Sequence, residues 1–328
     1  TGVVETGETV IFDVTHSFRS LPFLAFLAVA YLKAAKQVQV ERVLYGAYEG
    51  RDEAANRSPI FDLTPFVSLL DWLAATNRFL DTGDGHAMSR LLRAGIPPGI
   101  QMGADLDARR LGQQLRSAAE AIESISLALS VARPVESMQS AAHLATTLQA
   151  AAPGILQRAR PFGLLAEQVV QQYGQFGLDD PAEDAHATSS LWRQLRMITW
   201  YLEHRRIIQA VTMAREWVVS LLAYRFGGDM FDNRATRPAV ELALNNGVER
   251  LKSNSKLRPG RYDAQYEALP QASSLTGLWS QLTDLRNDIA HAGMRKGAKA
   301  ASQLDQKARA LQPALETLAD VLLSPASI

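Results

Sequence analysis

Beyond Ala94-Gly95-Ile96-Pro97-Pro98-Gly99, apolar residues recur every three or four positions almost to the end of the chain. Such spacing puts them on one side of a helix and is incompatible with long strands. Leu106 to Ser130 reads as one long helix, and Leu191 to Phe226 as another, closed by Gly227-Gly228. Leu275, Leu278, Leu282, Leu285 and Ile289 form a clean stripe that stops near Ala292-Gly293. A last helix spans about Leu304 to Leu323, with Pro313 kinking or splitting it. Stripes of this kind belong to the core of a helical bundle.

The first ninety-odd residues obey a different pattern. Thr9 to Val14 is short, β-rich and almost continuously apolar, as a buried parallel strand should be. Ser20 can cap a helix with Pro22 in its first turn, and Phe23 to Lys36 is apolar all round. A second strand follows from Val38 to Tyr45 and ends at Gly46. Strand, helix and strand together imply a parallel sheet. Ser58 to Pro65 reads as a loop entering a helix capped by Thr64, which continues to about Leu80. The chain of 328 residues therefore divides into an α/β part, 1–93, and a helical part, 94–328.

Composition narrows the chemistry. Apolar residues make up 47%, so substantial cores can form, and cysteine is absent, which removes disulfides, thiolate metal sites and Cys nucleophiles. No stretch approaches the ~18 apolar residues of a membrane span, and no signal peptide is visible, so a cytoplasmic protein without membrane partners is expected. No two of the six histidines have a metal-binding spacing, so no metal is expected. Lys plus Arg balances Asp plus Glu at 34 each, yet from Arg250 to Arg309 eleven residues are basic and five acidic. A phosphate-bearing partner needs such an excess, although a solvated bundle surface shows it too.

Two segments carry candidate chemistry. Thr15, His16, Ser17 and Arg19 follow the first strand, where open parallel sheets bind ligands, and could grip phosphate or ribose. An ordinary polar loop has the same composition. Arg286-Asn287-Asp288-Ile289-Ala290-His291 ends the striped helix. His can move a proton near neutral pH, and Arg can stabilise charge growing on phosphorus. The spacing alone is weak, because 27 Arg and six His give about half such a pair by chance. On a straight helix the two side chains stand roughly 140° apart, so a site shared by two copies suits them better than one copy.

Phe12-Asp13-Val14-Thr15-His16-Ser17-Phe18-Arg19-Ser20-Leu21-Pro22 resembles the ligand-loop signature of the CARF domain in one branch of the CRISPR-associated CARF–HEPN ribonucleases. Leu44-Tyr45-Gly46-Ala47 and Asp62-Leu63-Thr64-Pro65-Phe66 resemble later segments of that branch, and Arg286 to His291 is similar to the HEPN nuclease motif. The resemblance implies a partial Rossmann-like CARF domain, its first strand and loop lying before Thr1, followed by a helical HEPN bundle. It further implies a type III CRISPR accessory nuclease that cleaves single-stranded RNA without metal. Cyclic tetra- or hexa-adenylate is then the allosteric activator, and a homodimer or higher even oligomer the working form. By carry-over, Arg286 and His291 are catalytic with Asn287 in support, and Thr15, His16, Ser17 and Arg19 bind the activator. Other readings are a non-catalytic sensor or dimerisation module, or a ring nuclease that degrades the cyclic oligoadenylate. A transcription regulator is weaker still, for want of a helix-turn-helix.

Overall fold

A parallel pair of strands begins the fold. β1 (Thr9–Asp13) and β2 (Gln39–Gly46) lie side by side, with Val10 opposite Val40 and Phe12 opposite Val43, and the register shifts between Val10 and Ile11. α1 (Leu21–Lys36) makes the crossover that a parallel pair requires. β3 (Ile60–Asp62) then adds to β2 in antiparallel sense, giving the order β1-β2-β3. These elements come from a computed structural model that describes residues 4–15, 21–99, 103, 105–252, 256–294 and 296–324.

β3 corrects the expectation of a plain loop before the second helix. Three residues carry too little pattern to declare a strand, and pairing with β2 supplies what the local sequence lacks. It also redirects Thr64. Its hydroxyl accepts a hydrogen bond from Val43 N at 2.9 Å, tying the helix start to β2, and Leu63 occupies the cap position of α2 (Thr64–Thr82) instead. Val29, Val43 and Val67 form a small core here, with Phe12, Phe26, Val40 and Leu63 against it. α1 meets this core along one side only. Leu24, Leu27 and Tyr31 are exposed, so this helix is not buried all round as its composition suggests.

α2 belongs to two cores. Val67 packs in the small one, whereas Trp72, Ala75 and Phe79 enter the large helical core. That core is built by α3 (His86–Ala94), α4 (Leu106–Ser130), α5 (Pro134–Arg158), α6 (Arg160–Gly174) and the helices that follow. α4 has the limits its periodicity predicts, with the Asp105 carboxylate accepting Asp107 N at 2.8 Å as an N-cap. The expected helix from Leu191 to Phe226 is two helices, α7 (Ala187–Glu203) and α8 (Ile207–Arg225). Arg205 adopts a left-handed φ of 54° between them, and α8 folds back on α7. No Gly or Pro marks this reversal, and both helices carry apolar faces, so periodicity alone runs through it. Trp217 Nε1 donates to Leu191 O at 2.9 Å and fixes the pair.

The remaining helices are α9 (Thr236–Glu249), α10 (Asp263–Glu267), α11 (Ala272–Ala290), α12 (Ala301–Arg309) and α13 (Gln312–Leu322). Pro313 splits the last helix into α12 and α13 by sitting in the first turn of α13, where its missing N–H costs nothing. Helix makes up 68% of the structure, beside the small three-stranded sheet, so the fold is α/β plus helical. None of the described helices is long and apolar enough to cross a membrane.

An aromatic cluster links α2, α6 and α7 in the large core. Phe79 and Tyr173 stack at 4.4 Å, and Trp200 meets Tyr173 edge-on at 6.1 Å. The Tyr173 hydroxyl donates to the Phe79 carbonyl, and burial pushes this phenol far above its usual pKa. Removing a fully buried ring leaves a cavity as well as lost contacts. Phe79→Ala should therefore cost about 3–5 kcal/mol, and Tyr173→Phe about 1 kcal/mol, read by equilibrium denaturation. A Phe79→Ala loss below about 1 kcal/mol would contradict this packing.

Candidate functional site

The site on the helical side begins with the rotation of α11. Leu275, Leu278, Trp279, Leu282 and Leu285 are buried along one face. Polar contacts at the same face fix the angle. Trp279 Nε1 donates to Asn245 Oδ1 at 2.8 Å, and the Arg215 guanidinium lies 4.7 Å from the Trp279 ring centre. Arg215 is itself held by Glu241 at 2.9 Å and Glu216 at 2.8 Å. Nearer the start, the Thr276 and Tyr266 hydroxyls hydrogen-bond at 2.8 Å. With that face turned inward, Arg286 follows Leu285 on to the exposed surface.

α11 closes at the motif. His291 takes the C-cap position, its N–H donating to Asn287 O at 3.2 Å. Ala292 and Gly293 follow with φ of 48° and 72°, a left-handed turn that ends the helix. Met294 N then donates to His291 O at 2.8 Å. Arg286 and His291 are both exposed and Asn287 is half-buried. All three candidates thus lie at one helix end with the Arg and His side chains open to solvent.

Asp288 behaves differently. It is 1% exposed, and its Oδ2 accepts from Lys299 N at 3.2 Å and faces Lys299 Nζ at 3.4 Å. The sequence held half of this signal, because Asp288 stands three residues after Leu285 and so continues the buried stripe. Nothing in it pointed to Lys299 as the partner. The surrounding basic segment is partly neutralised in the fold. Arg250 pairs with Glu267, Lys252 with Glu249 and Arg309 with Asp305, besides Lys299 with Asp288.

On the α/β side, Thr15 sits at the carboxyl ends of both parallel strands. Its N–H donates to Asp13 Oδ1 at 2.9 Å, and its hydroxyl accepts from Gly46 N at 2.8 Å. A Cβ at position 46 would come 2.9 Å from Thr15 Cγ2, so this bridge needs glycine there. His16, Ser17 and Arg19 lie outside the described residues. Beside this corner, hydrogen bonds from the Thr64 side chain and backbone hold the Asp62 carboxyl below its usual range.

Three other histidines have local partners. His143 Nε2 contacts Thr147 Oγ1 at 3.0 Å, His186 Nδ1 contacts Asp180 O at 3.0 Å, and His204 contacts Trp200 O at 2.7 Å while stacking on its ring. Among the described residues no group of three or more His, Asp or Glu side chains could hold a metal ion. A cavity of about 760 Å³ is lined by Arg78, His86, Glu123, Trp200 and Arg206, and includes none of the candidate residues. Its acids are already matched, Asp84 by Arg78 and Glu123 by Arg93.

Residues 68–180 match the family model described as the second domain of CRISPR-associated protein MJ1674. Over 89 residues the chain is 28% identical to CRISPR-associated protein MJ1674 of Methanocaldococcus jannaschii, a stretch covering 27% of this chain and 14% of that protein. These similarities support a CRISPR-associated protein. The family-model match runs from α2 to just past α6, and so includes neither the Thr15 corner nor the end of α11.

The Thr15 bridge gives a direct test of the strand-end corner. Thr15→Val removes the acceptor for Gly46 N and should cost about 1 kcal/mol in denaturant unfolding. Thr15→Ser keeps the acceptor and should stay within about 0.5 kcal/mol of wild type. Equal stability of all three proteins would show that the bridge contributes nothing.

Proposed function

We propose that this CRISPR-associated chain is a single-stranded RNA endoribonuclease that works without metal, is switched on by cyclic tetra- or hexa-adenylate, and serves type III antiviral defence. The observation that carries the reading is the exposure of Arg286 and His291 together at the closed end of α11, with Asn287 between them. The match of residues 68–180 to a CRISPR-associated domain supports the setting. The resemblance of Thr15 to Arg19 to a CARF ligand loop supports the activator.

The chemistry follows from the two side chains. A base takes the proton from a ribose 2′-hydroxyl, and the freed oxygen attacks the adjacent phosphorus. The P–O5′ bond breaks, and the departing 5′-oxygen receives a proton. The products carry a 2′,3′-cyclic phosphate and a 5′-hydroxyl, so atoms and charge balance without another reactant. His291 moves the proton, and Arg286 stabilises the charge that gathers on the non-bridging oxygens. Asn287 supports the pair from within the same turn. Because the helix separates Arg286 and His291 by roughly 140°, a site built from two copies is part of the proposal. Symmetric pairing of like chains is the common way to build one.

Labelled single-stranded RNA incubated with EDTA and cyclic oligoadenylate should be cut by the wild-type chain. His291→Ala should lose about 10²–10⁴-fold in rate and Arg286→Ala about 10²–10³-fold, with melting unchanged. Cleavage at the wild-type rate by His291→Ala would overturn the assignment.

A further inference from the structure

We infer that the ion pair of Asp288 with Lys299 is a latch that positions His291, an inference that rests on the nuclease reading above. Asp288 lies inside the motif yet points away from solvent, at 1% exposure, while Arg286 and His291 on either side are exposed. A carboxylate removed from water is costly unless a cation and hydrogen bonds replace the lost hydration. Lys299 supplies both, through its backbone N–H at 3.2 Å and its ammonium at 3.4 Å. One side chain on the last full turn of α11 therefore grips the chain eleven residues later.

What the grip encloses is the piece that carries His291. Between Ala290, the last residue of α11, and Ala301, the first of α12, the described chain has no helix or strand. Ala292, Gly293 and Gly297 adopt positive φ there. His291 occupies the C-cap, and its N–H bond to Asn287 O is 3.2 Å long. Helix ends of this kind fray, because their last carbonyls lack helical partners. Arg286 needs no such help, since Leu282 and Leu285 anchor its turn in the core. Ile289 is the last side chain of the helix packed against the core; His291 stands two residues beyond it, and the latch closes the loop behind it. The contact places a buried charge close to the catalytic candidate that sits exposed at the helix cap. Asp288 and Lys299 are positioning residues, because they act on the geometry of His291 and not on the RNA.

The test uses Asp288→Asn, Lys299→Met and the conservative Lys299→Arg, each in the full chain. Two readouts separate the latch from the nuclease reading. Hydrogen exchange of peptides covering 291–300 should rise by about tenfold or more in Asp288→Asn and Lys299→Met, and stay near wild type in Lys299→Arg. RNA cleavage should then show kcat lowered by up to about 100-fold, as misplacement of a reacting group does. KM should move within about twofold, and Lys299→Arg should retain activity. The double variant should fall no further than the worse single one, because the pair is already broken. Unchanged exchange in Lys299→Met overturns the latch. Raised exchange with unchanged kcat overturns its positioning role. A wild-type chain that cuts no RNA overturns the nuclease reading and the positioning role with it, while exchange still decides whether the latch exists. The Lys299 side chain is 21% exposed against 1% for Asp288, so its variants keep the test open should Asp288→Asn fold poorly.

Discussion

The buried stripe of α11 decides what its far end can do. Leu275, Leu278, Trp279, Leu282 and Leu285 turn one face of the helix into the core. The Trp279–Asn245 hydrogen bond and the Arg215 guanidinium hold that rotation against slippage. Everything at the C-terminal turn follows from the angle so set. Arg286 is carried outward, Asp288 inward, and His291 is left at the cap, where the core no longer reaches. A rotation of a single residue, about 100°, would carry Arg286 to the buried place of Leu285 and Asp288 to the half-buried place of Asn287. The apolar packing and the polar motif are thus one constraint seen from two sides.

The α/β unit relies on the same economy with fewer contacts. Its core is small, centred on Val29, Val43 and Val67, and α2 links it to the helical core by entering both. At the strand ends, polar bridges complete the corner. Thr15 reaches Gly46 across the parallel pair, and Thr64 reaches Val43 from the helix start. Both hydroxyls accept from backbone N–H groups of β2, and each keeps its own proton to donate. A helix shared by two cores ties the corner to the bundle, with Val67 in one core and Trp72 in the other.

How much of this was legible depended on how local each signal was. Stripes are local, so the limits of α4 and the inward face of α11 could be read directly, as could the strand–helix–strand unit. Features that depend on distant partners could not. β3 exists because β2 is there to pair with it, and Thr64 abandons its cap for Val43. The break at Arg205 has no Gly or Pro, and only the folding back of α8 on α7 reveals it. Asp288 stood in plain view inside the motif, but its meaning required Lys299. The family-model match falls on α2 to just past α6, between the motifs from which the family resemblance was drawn. The family model and the resemblance therefore bear on different parts of the chain.

A nuclease site composed from two copies makes one demand that no single-chain site shares. Chains carrying Arg286→Ala should be mixed with chains carrying His291→Ala, each inactive alone, and allowed to reassort before RNA and cyclic oligoadenylate are added. Each mixed pair then keeps one wild-type Arg286 and one wild-type His291 on opposite chains. Cleavage should return to roughly a quarter of the wild-type rate if reassortment is random and each mixed pair holds one complete site. A mixture as inactive as its two components, with mixed pairs shown to be present, would contradict a shared site at the end of α11.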